Sequence, residues 1–372
     1  MAGLLNFRNC KVGNLSVTCE STDYYRHKLM STTAETLTLI WQRMLQHPVI
    51  SVEENFFDMG GNEALADVLF AEISQLYGRQ LPSAMLGRAP TIATQVALVE
   101  QPTLSEFSPF LQIKAGSEKP PIFIAHGLSG NVEFFKLAKH IPTGNPIYGI
   151  RAKGIDGTEE PFQRVEDMTA FYLESLAKEY PKGPYILFGY SFGGLVALEM
   201  AQRLSGRVAL LVMLDTYPHP RYLPRDHRMR LFGQRVRHHV YAMRQLPFPE
   251  AFSYFAHGFR YKLQLAGALS DSGNPEIPNL SCAQATAWVN EYAYRAYRNY
   301  KPRFYRGKIN LVTAEKQSFF PGDPATVWGP LAAELEVERI PGDHLNIVTT
   351  EFKGLASVLT RYIRQVSPQH MG

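Results

Sequence analysis

The stretch that most constrains this chain is Tyr185-Ile186-Leu187-Phe188-Gly189-Tyr190-Ser191-Phe192-Gly193-Gly194. Four strand-forming residues run straight into Gly-x-Ser-x-Gly, and a helical pattern of Leu195, Val196, Leu198 and Met200 follows at once. A strand that turns into a helix within five residues leaves no room two places before or two places after the serine, so Gly189 and Gly193 must lack side chains. The turn lifts the Ser191 hydroxyl above the end of a parallel sheet, the arrangement of a nucleophile elbow. The neighbouring N–H groups then lie at a helix N-terminus, where negative charge is favoured.

A serine hydroxyl is a poor nucleophile until a base takes its proton, and that base needs a carboxylate to orient it. In folds of this kind the three groups follow the chain order serine, acid, histidine. The base is assigned to His344, in a loop directly after the strand that ends at Ile340. The acid is assigned to Asp215, at the C-terminal end of the apolar run Val208 to Leu214, because sites in open α/β sheets lie at strand ends. Asp343 ranks second as the acid, since a sequence neighbour of the histidine is badly placed to reach its ring. Two backbone donors should face the developing oxyanion. One is the N–H of Phe192; the other is that of Leu128 in the turn after the first strand of the parallel series, with Gly127 its rival. His126 is assigned no catalytic role. No metal site is expected.

Around these residues the chain reads strand, turn and helix repeatedly from Pro120 onward. Strands that are apolar throughout and alternate with helices predict a parallel sheet covered on both faces. Residues 217 to about 300 are too long for a simple crossover and carry many aromatics together with Arg221, Arg225, Arg228, Arg230, Arg235, Arg237, Arg244, Arg260 and Lys262. That basic stretch predicts a landing surface for an acidic partner. No nucleic-acid recognition motif accompanies it, and nucleic acid is not expected as a partner.

Residues 31–100 make a separate unit. Thr32 to Glu35 reads as a capping box, and Leu37, Ile40, Trp41, Met44 and Leu45 recur at helical spacing. A second helical pattern over Leu65, Val68, Leu69, Ile73 and Leu76 stops at Gly78, and a third covers Thr91 to Glu100. Three or four short helices predict a small all-α bundle. Residues 101–119 hold proline, serine and glycine without a sustained period and are expected to be a flexible linker. Residues 1–30 are expected to be a poorly ordered extension without the apolar core of a signal peptide. A content of 45% hydrophobic and 19% charged residues is that of an ordinary globular chain. Its three cysteines have no metal spacing and build no disulfide framework, which predicts a reducing, cytoplasmic setting. The apolar runs fall short of a membrane span.

The bundle, through "NFFDMGG" before its second helix, resembles a peptidyl or acyl carrier domain. In that family a serine opening the second helix carries phosphopantetheine; here that position is Glu63, a carboxylate that cannot be esterified. The resemblance therefore implies a degenerate carrier domain without its arm. From about Ser108 to the C-terminal helix the chain resembles the thioesterases that release products from nonribosomal peptide and polyketide assembly lines. "PPIFIAHG", "IYGIRAKGIDG", "GYSFGGLVALEMAQRL", "VMLDTY" and "IPGDHLNIV" carry that likeness. It implies an α/β-hydrolase fold over residues 120–372 with a helical lid at about 217–300. It also implies Ser191, Asp215 and His344 as triad, and transfer of an acyl or peptidyl group from pantetheine sulfur to Ser191. The expected partners are a separate acyl or peptidyl carrier protein and a small-molecule acyl substrate, with no membrane. No cofactor is expected on this chain, since the arm would belong to the partner carrier. The alternatives are a carboxylesterase of free small esters and a non-catalytic docking scaffold.

Overall fold

The computed structural model describes residues 32–103, 106–130, 134–231, 233, 280–316 and 323–366. The expected N-terminal extension lies outside them, as does most of the lid with Arg235, Arg237, Arg244, Arg260 and Lys262.

The small unit comprises α1 (Thr33–Leu45), α2 (Glu63–Tyr77), a 3-10 turn (Ser83–Gly87) and α3 (Ile92–Glu100). Its boundaries follow local chemistry. The Thr32 hydroxyl accepts the Glu35 N–H at 3.3 Å while the Glu35 carboxylate accepts the Thr32 N–H at 2.8 Å, closing the capping box. Asn62 caps α2 by accepting the Leu65 N–H at 2.9 Å, and Gly78 ends it in the left-handed region at φ 65°. Leu37, Ile40, Trp41, Phe56, Leu69, Phe70 and Ile92 meet in the core. The indole N–H of Trp41 is satisfied there by Gln95 Oε1 at 3.0 Å, as a buried polar group requires.

The larger unit is a seven-stranded sheet. Its strands are β1 (Phe110–Lys114), β2 (Ile122–Ala125), β3 (Ile147–Ile150), β4 (Tyr185–Tyr190), β5 (Val208–Leu214), β6 (Tyr305–Ala314) and β7 (Ala332–Ile340). The spatial order is β1-β3-β2-β4-β5-β6-β7, and every pairing from β3 to β7 is parallel. One face is covered by α5 (Val165–Glu179) and α6 (Phe192–Leu204), the other by α4 (Phe135–His140) and α10 (Phe352–Val366). Also present are α7 (Cys282–Asn299), α8 (Pro324–Trp328) and α9 (Asn346–Thr349). Helices on both faces of a mainly parallel sheet form the three-layer α/β-hydrolase architecture.

Two expectations need correction. Residues 110–114, inside the stretch read as a flexible linker, form β1, which pairs antiparallel with β3 as Phe110↔Ile150. The sheet is thus mixed. An antiparallel edge strand on a parallel sheet is a common arrangement, and this one gains by burying Phe110 against Phe123 at 5.1 Å between ring centroids.

The linker is also tied down at its N-terminal side. Arg151, buried after β3, donates to the carbonyls of Ser108 and Arg88, each at 2.6 Å. The Arg88 bond joins the two units directly, and the Ser108 bond fixes the segment between them.

Candidate active site

Ser191 sits between β4 and α6 at φ 54°, ψ −118°. A non-glycine residue held there costs about 1–3 kcal/mol and persists only where its surroundings enforce it. The enforcement is steric. A Cβ on Gly189 would run into the Gly193 carbonyl, and one on Gly193 would run into the carbonyls of Ala125 and His126. The Ser191 N–H is tied to the Leu214 carbonyl at 2.8 Å, which joins the turn to the end of β5.

Asp215 follows β5 directly and is buried, with φ 41°. Its N–H extends the ladder to the Val312 carbonyl at 2.7 Å, and its Oδ1 accepts the Ala314 N–H at 3.2 Å. That leaves Oδ2 to lie 2.6 Å from Nδ1 of His344. The loop behind it is pinned by the Trp328 indole N–H, which donates to the Thr216 carbonyl at 2.9 Å.

The ring of His344 completes a chain, its Nε2 lying 3.1 Å from Ser191 Oγ. A carboxylate can only accept, so the ring proton is assigned to Nδ1, and Nε2 is free to accept from the hydroxyl. The side chain of Asp215 is 8% exposed and that of His344 19%, so the pair faces little competing water. Asp343 is occupied elsewhere: its Oδ1 accepts the N–H groups of Leu345 and Asn346 at 3.1 and 3.0 Å, and its Oδ2 the Asn346 amide at 2.9 Å. It shapes the loop and does not reach the imidazole.

Phe192 is the first residue of α6, so its N–H has no acceptor within the helix and stands beside Ser191 Oγ in sequence. Leu128 lies in the turn after β2, half-buried, where the Gly130 N–H closes back on the Gly127 carbonyl at 3.3 Å. Gly127 faces the ring of Tyr190, so this turn lies next to the elbow. His126 is fully buried. Its Nδ1 donates to the Gly127 carbonyl at 2.6 Å and its Nε2 accepts the Tyr172 hydroxyl at 2.9 Å. Burial pushes its pKa down to about 4, so it is a neutral buttress of the turn at ordinary pH.

One contributor was not singled out from the sequence. Tyr190, the residue before Ser191, lays its ring against His344 at 5.0 Å and 25° and donates its hydroxyl to the His344 carbonyl at 2.7 Å. An aromatic at the first variable position of Gly-x-Ser-x-Gly was its only signal. The residue that the resemblance to carrier domains sets at the phosphopantetheine position does not fit that group. Glu63 stands exposed in the first turn of α2, and a carboxylate offers no hydroxyl to join to the phosphate. No helix among the described residues is long and apolar enough to cross a membrane.

Comparison with known proteins bears on the family and the fold. The family description "Phosphopantetheine attachment site" matches residues 35–99. A dimodular nonribosomal peptide synthase of Bacillus subtilis (strain 168) is 36% identical over 195 residues, 51% of this chain and 8% of that protein. An indigoidine synthase of Dickeya dadantii (strain 3937) is 34% identical over 167 residues, 45% of this chain and 11% of that protein. The match thus spans about a tenth of these relatives' length. A solved four-domain nonribosomal peptide synthetase, holo-AB3403 bound to AMP and glycine, superposes with a TM-score of 0.52 at 21% identity. That superposition covers 89% of this chain and 26% of the other, and it speaks for the fold. The family description "Thioesterase domain" matches residues 120–365, about two thirds of the chain, and the chain belongs to that family.

Proposed function

We propose that this chain is a serine thioesterase that takes an acyl or peptidyl group from the phosphopantetheine arm of a separate carrier protein in natural-product biosynthesis. The observation that carries the reading is the unbroken chain Asp215–His344–Ser191, at 2.6 and 3.1 Å. In the proposed cycle Ser191 Oγ attacks the thioester carbonyl as its proton passes to His344 Nε2. The imidazolium so formed is stabilised by Asp215 Oδ2, which stays ionised. The N–H groups of Phe192 and Leu128 receive the oxyanion. Collapse expels the thiolate, which takes the proton from Nε2 and leaves as the thiol, and the acyl group remains on Ser191. Water, an amine or an internal hydroxyl then attacks in turn, with His344 taking its proton and returning it to Oγ.

The arm belongs to the partner, because Glu63 cannot hold one. A base, an orienting acid and an aligned nucleophile account for the chemistry without a cofactor on this chain. A fluorophosphonate should add one phosphonyl group to the wild-type chain and none to Ser191→Ala, read by intact mass. Turnover of acyl-pantetheine thioesters should exceed that of matched oxygen esters. Labelling that survives in Ser191→Ala would refute the nucleophile, and a preference for oxygen esters would favour a carboxylesterase.

A further inference from the structure

The carrier-like unit is seated on three segments of the thioesterase unit. At α4, Lys139 Nζ pairs with Glu54 at 2.6 Å. Asp58 faces both Lys136 and Lys139 and receives the Lys136 N–H. At the loop after β3, Arg88 pairs with Asp156 at 3.5 Å while its carbonyl accepts from Arg151, and Gly87 lies against Ile155 so closely that a Cβ would strike its backbone. At the start of α7, the Cys282 N–H donates to Ser83 Oγ at 2.8 Å, and Ala84 packs with Leu280, Ala285 and Trp288.

These segments are not remote from Ser191. The turn that carries Leu128 runs between β2 and α4, and Gly130 within it is packed against Val289 of α7 and Ala152 of the loop after β3. The seated unit also presents a particular end. Glu54 and Asp58 lie in the loop leading to α2, and the charges of Glu63 and Asp67 in its first turns act on Cys282 at the start of α7. The helix end where a functional carrier would bear its arm is therefore the end turned toward the thioesterase unit, and the residue there cannot bear one. At α4 acidic groups of the seated unit meet lysines of the receiving face, while the polarity reverses at Arg88 and Asp156, so the α4 part of the face is complementary to an acidic carrier.

We propose that the armless carrier-like domain is a resident occupant of the face at which a loaded carrier docks, and that a partner carrier is admitted only when this contact opens. The inference rests on the reading of the chain as a carrier-dependent thioesterase. Its consequence is competitive: a partner's apparent affinity is reduced by the fraction of molecules with the face open. Pair reversal on the resident side tests it without altering the receiving face. Glu54→Lys and Asp58→Lys set like charges against Lys139 and Lys136.

Binding should be measured by anisotropy with a separately expressed peptidyl carrier protein whose arm bears an octanoyl amide, which cannot be cleaved. Turnover of a small octanoyl thioester should be followed in parallel. The double variant is expected to bind the carrier about five-fold tighter or better, with small-thioester turnover unchanged. Glu54→Lys alone, at a half-buried position, should move binding in the same direction and guards against misfolding of the double variant. Unchanged or weaker carrier binding in the folded variants would overturn the proposal, as would a parallel fall in small-thioester turnover. A wild-type chain inactive on every thioester would count against the catalytic reading alone, because the binding arm needs no chemistry.

Discussion

His126 offers a way to tie the integrity of the site to pH. Its ring is fully buried, and desolvation holds its pKa at about 4 against the ordinary 6.5. The folded pKa lies below the unfolded one, so as pH falls the unfolded chain takes up this proton first. Stability is therefore whole above the unfolded pKa and is lost as pH drops through the interval from 6.5 to about 4. A tenfold difference in proton affinity between the folded and unfolded chain is worth about 1.36 kcal/mol. Integrating between about pH 7.5 and about pH 5 gives a loss of about 2 kcal/mol from this group alone.

The perturbation is His126→Asn, which removes the titrating group. Its other costs, a lost bond to Tyr172 and some empty volume, do not vary over this pH range. Urea unfolding of both proteins at the two pH values gives the comparison: the stability advantage of wild type over the variant should shrink by about 2 kcal/mol on going to the lower pH. An advantage that stays constant to within about 0.5 kcal/mol would refute the assignment of a neutral, desolvated ring here. The effect bears on function because the same ring donates to the Gly127 carbonyl at 2.6 Å, beside the proposed oxyanion donor Leu128.

Two further outcomes are expected. Asp215→Asn places an amide against Nδ1, which loses the acceptor that selects the ring tautomer; kcat should fall by about 10³–10⁴ while the fold is retained, and a loss below tenfold on acyl-pantetheine substrates would argue against Asp215 as the orienting acid. Glu63→Ser restores a hydroxyl at the first turn of α2, so intact mass after incubation with a phosphopantetheinyl transferase and coenzyme A should show one added arm in the variant and none in wild type. An arm on the wild-type chain would end the description of this domain as armless.

How far the sequence could be read depended on whether a feature was enforced locally or across the chain. The elbow was legible because its constraint is local: Gly189 and Gly193 exclude a Cβ through backbone atoms of the turn and of the adjacent strand end. Asp215 was legible because a continuous apolar strand announces where its C-terminal end must lie. His344 followed from its place after the last strand.

β1 was not legible, since a five-residue edge strand with a part-exposed second half has no alternation to set it apart from a linker. It forms because β3 leaves an unpaired edge and Phe123 a face for Phe110. Tyr190 escaped notice for a related reason. Its hydroxyl is bound to a carbonyl 154 positions away, and only the folded chain brings that partner near. The seating of the carrier-like unit is the extreme case, built from pairs such as Ser83 with Cys282 and Glu54 with Lys139. None of these residues taken alone carries a signal that names its partner. Glu54, Asp58, Ser83 and Arg88 each contact the thioesterase unit, and only the folded chain brings those partners within reach.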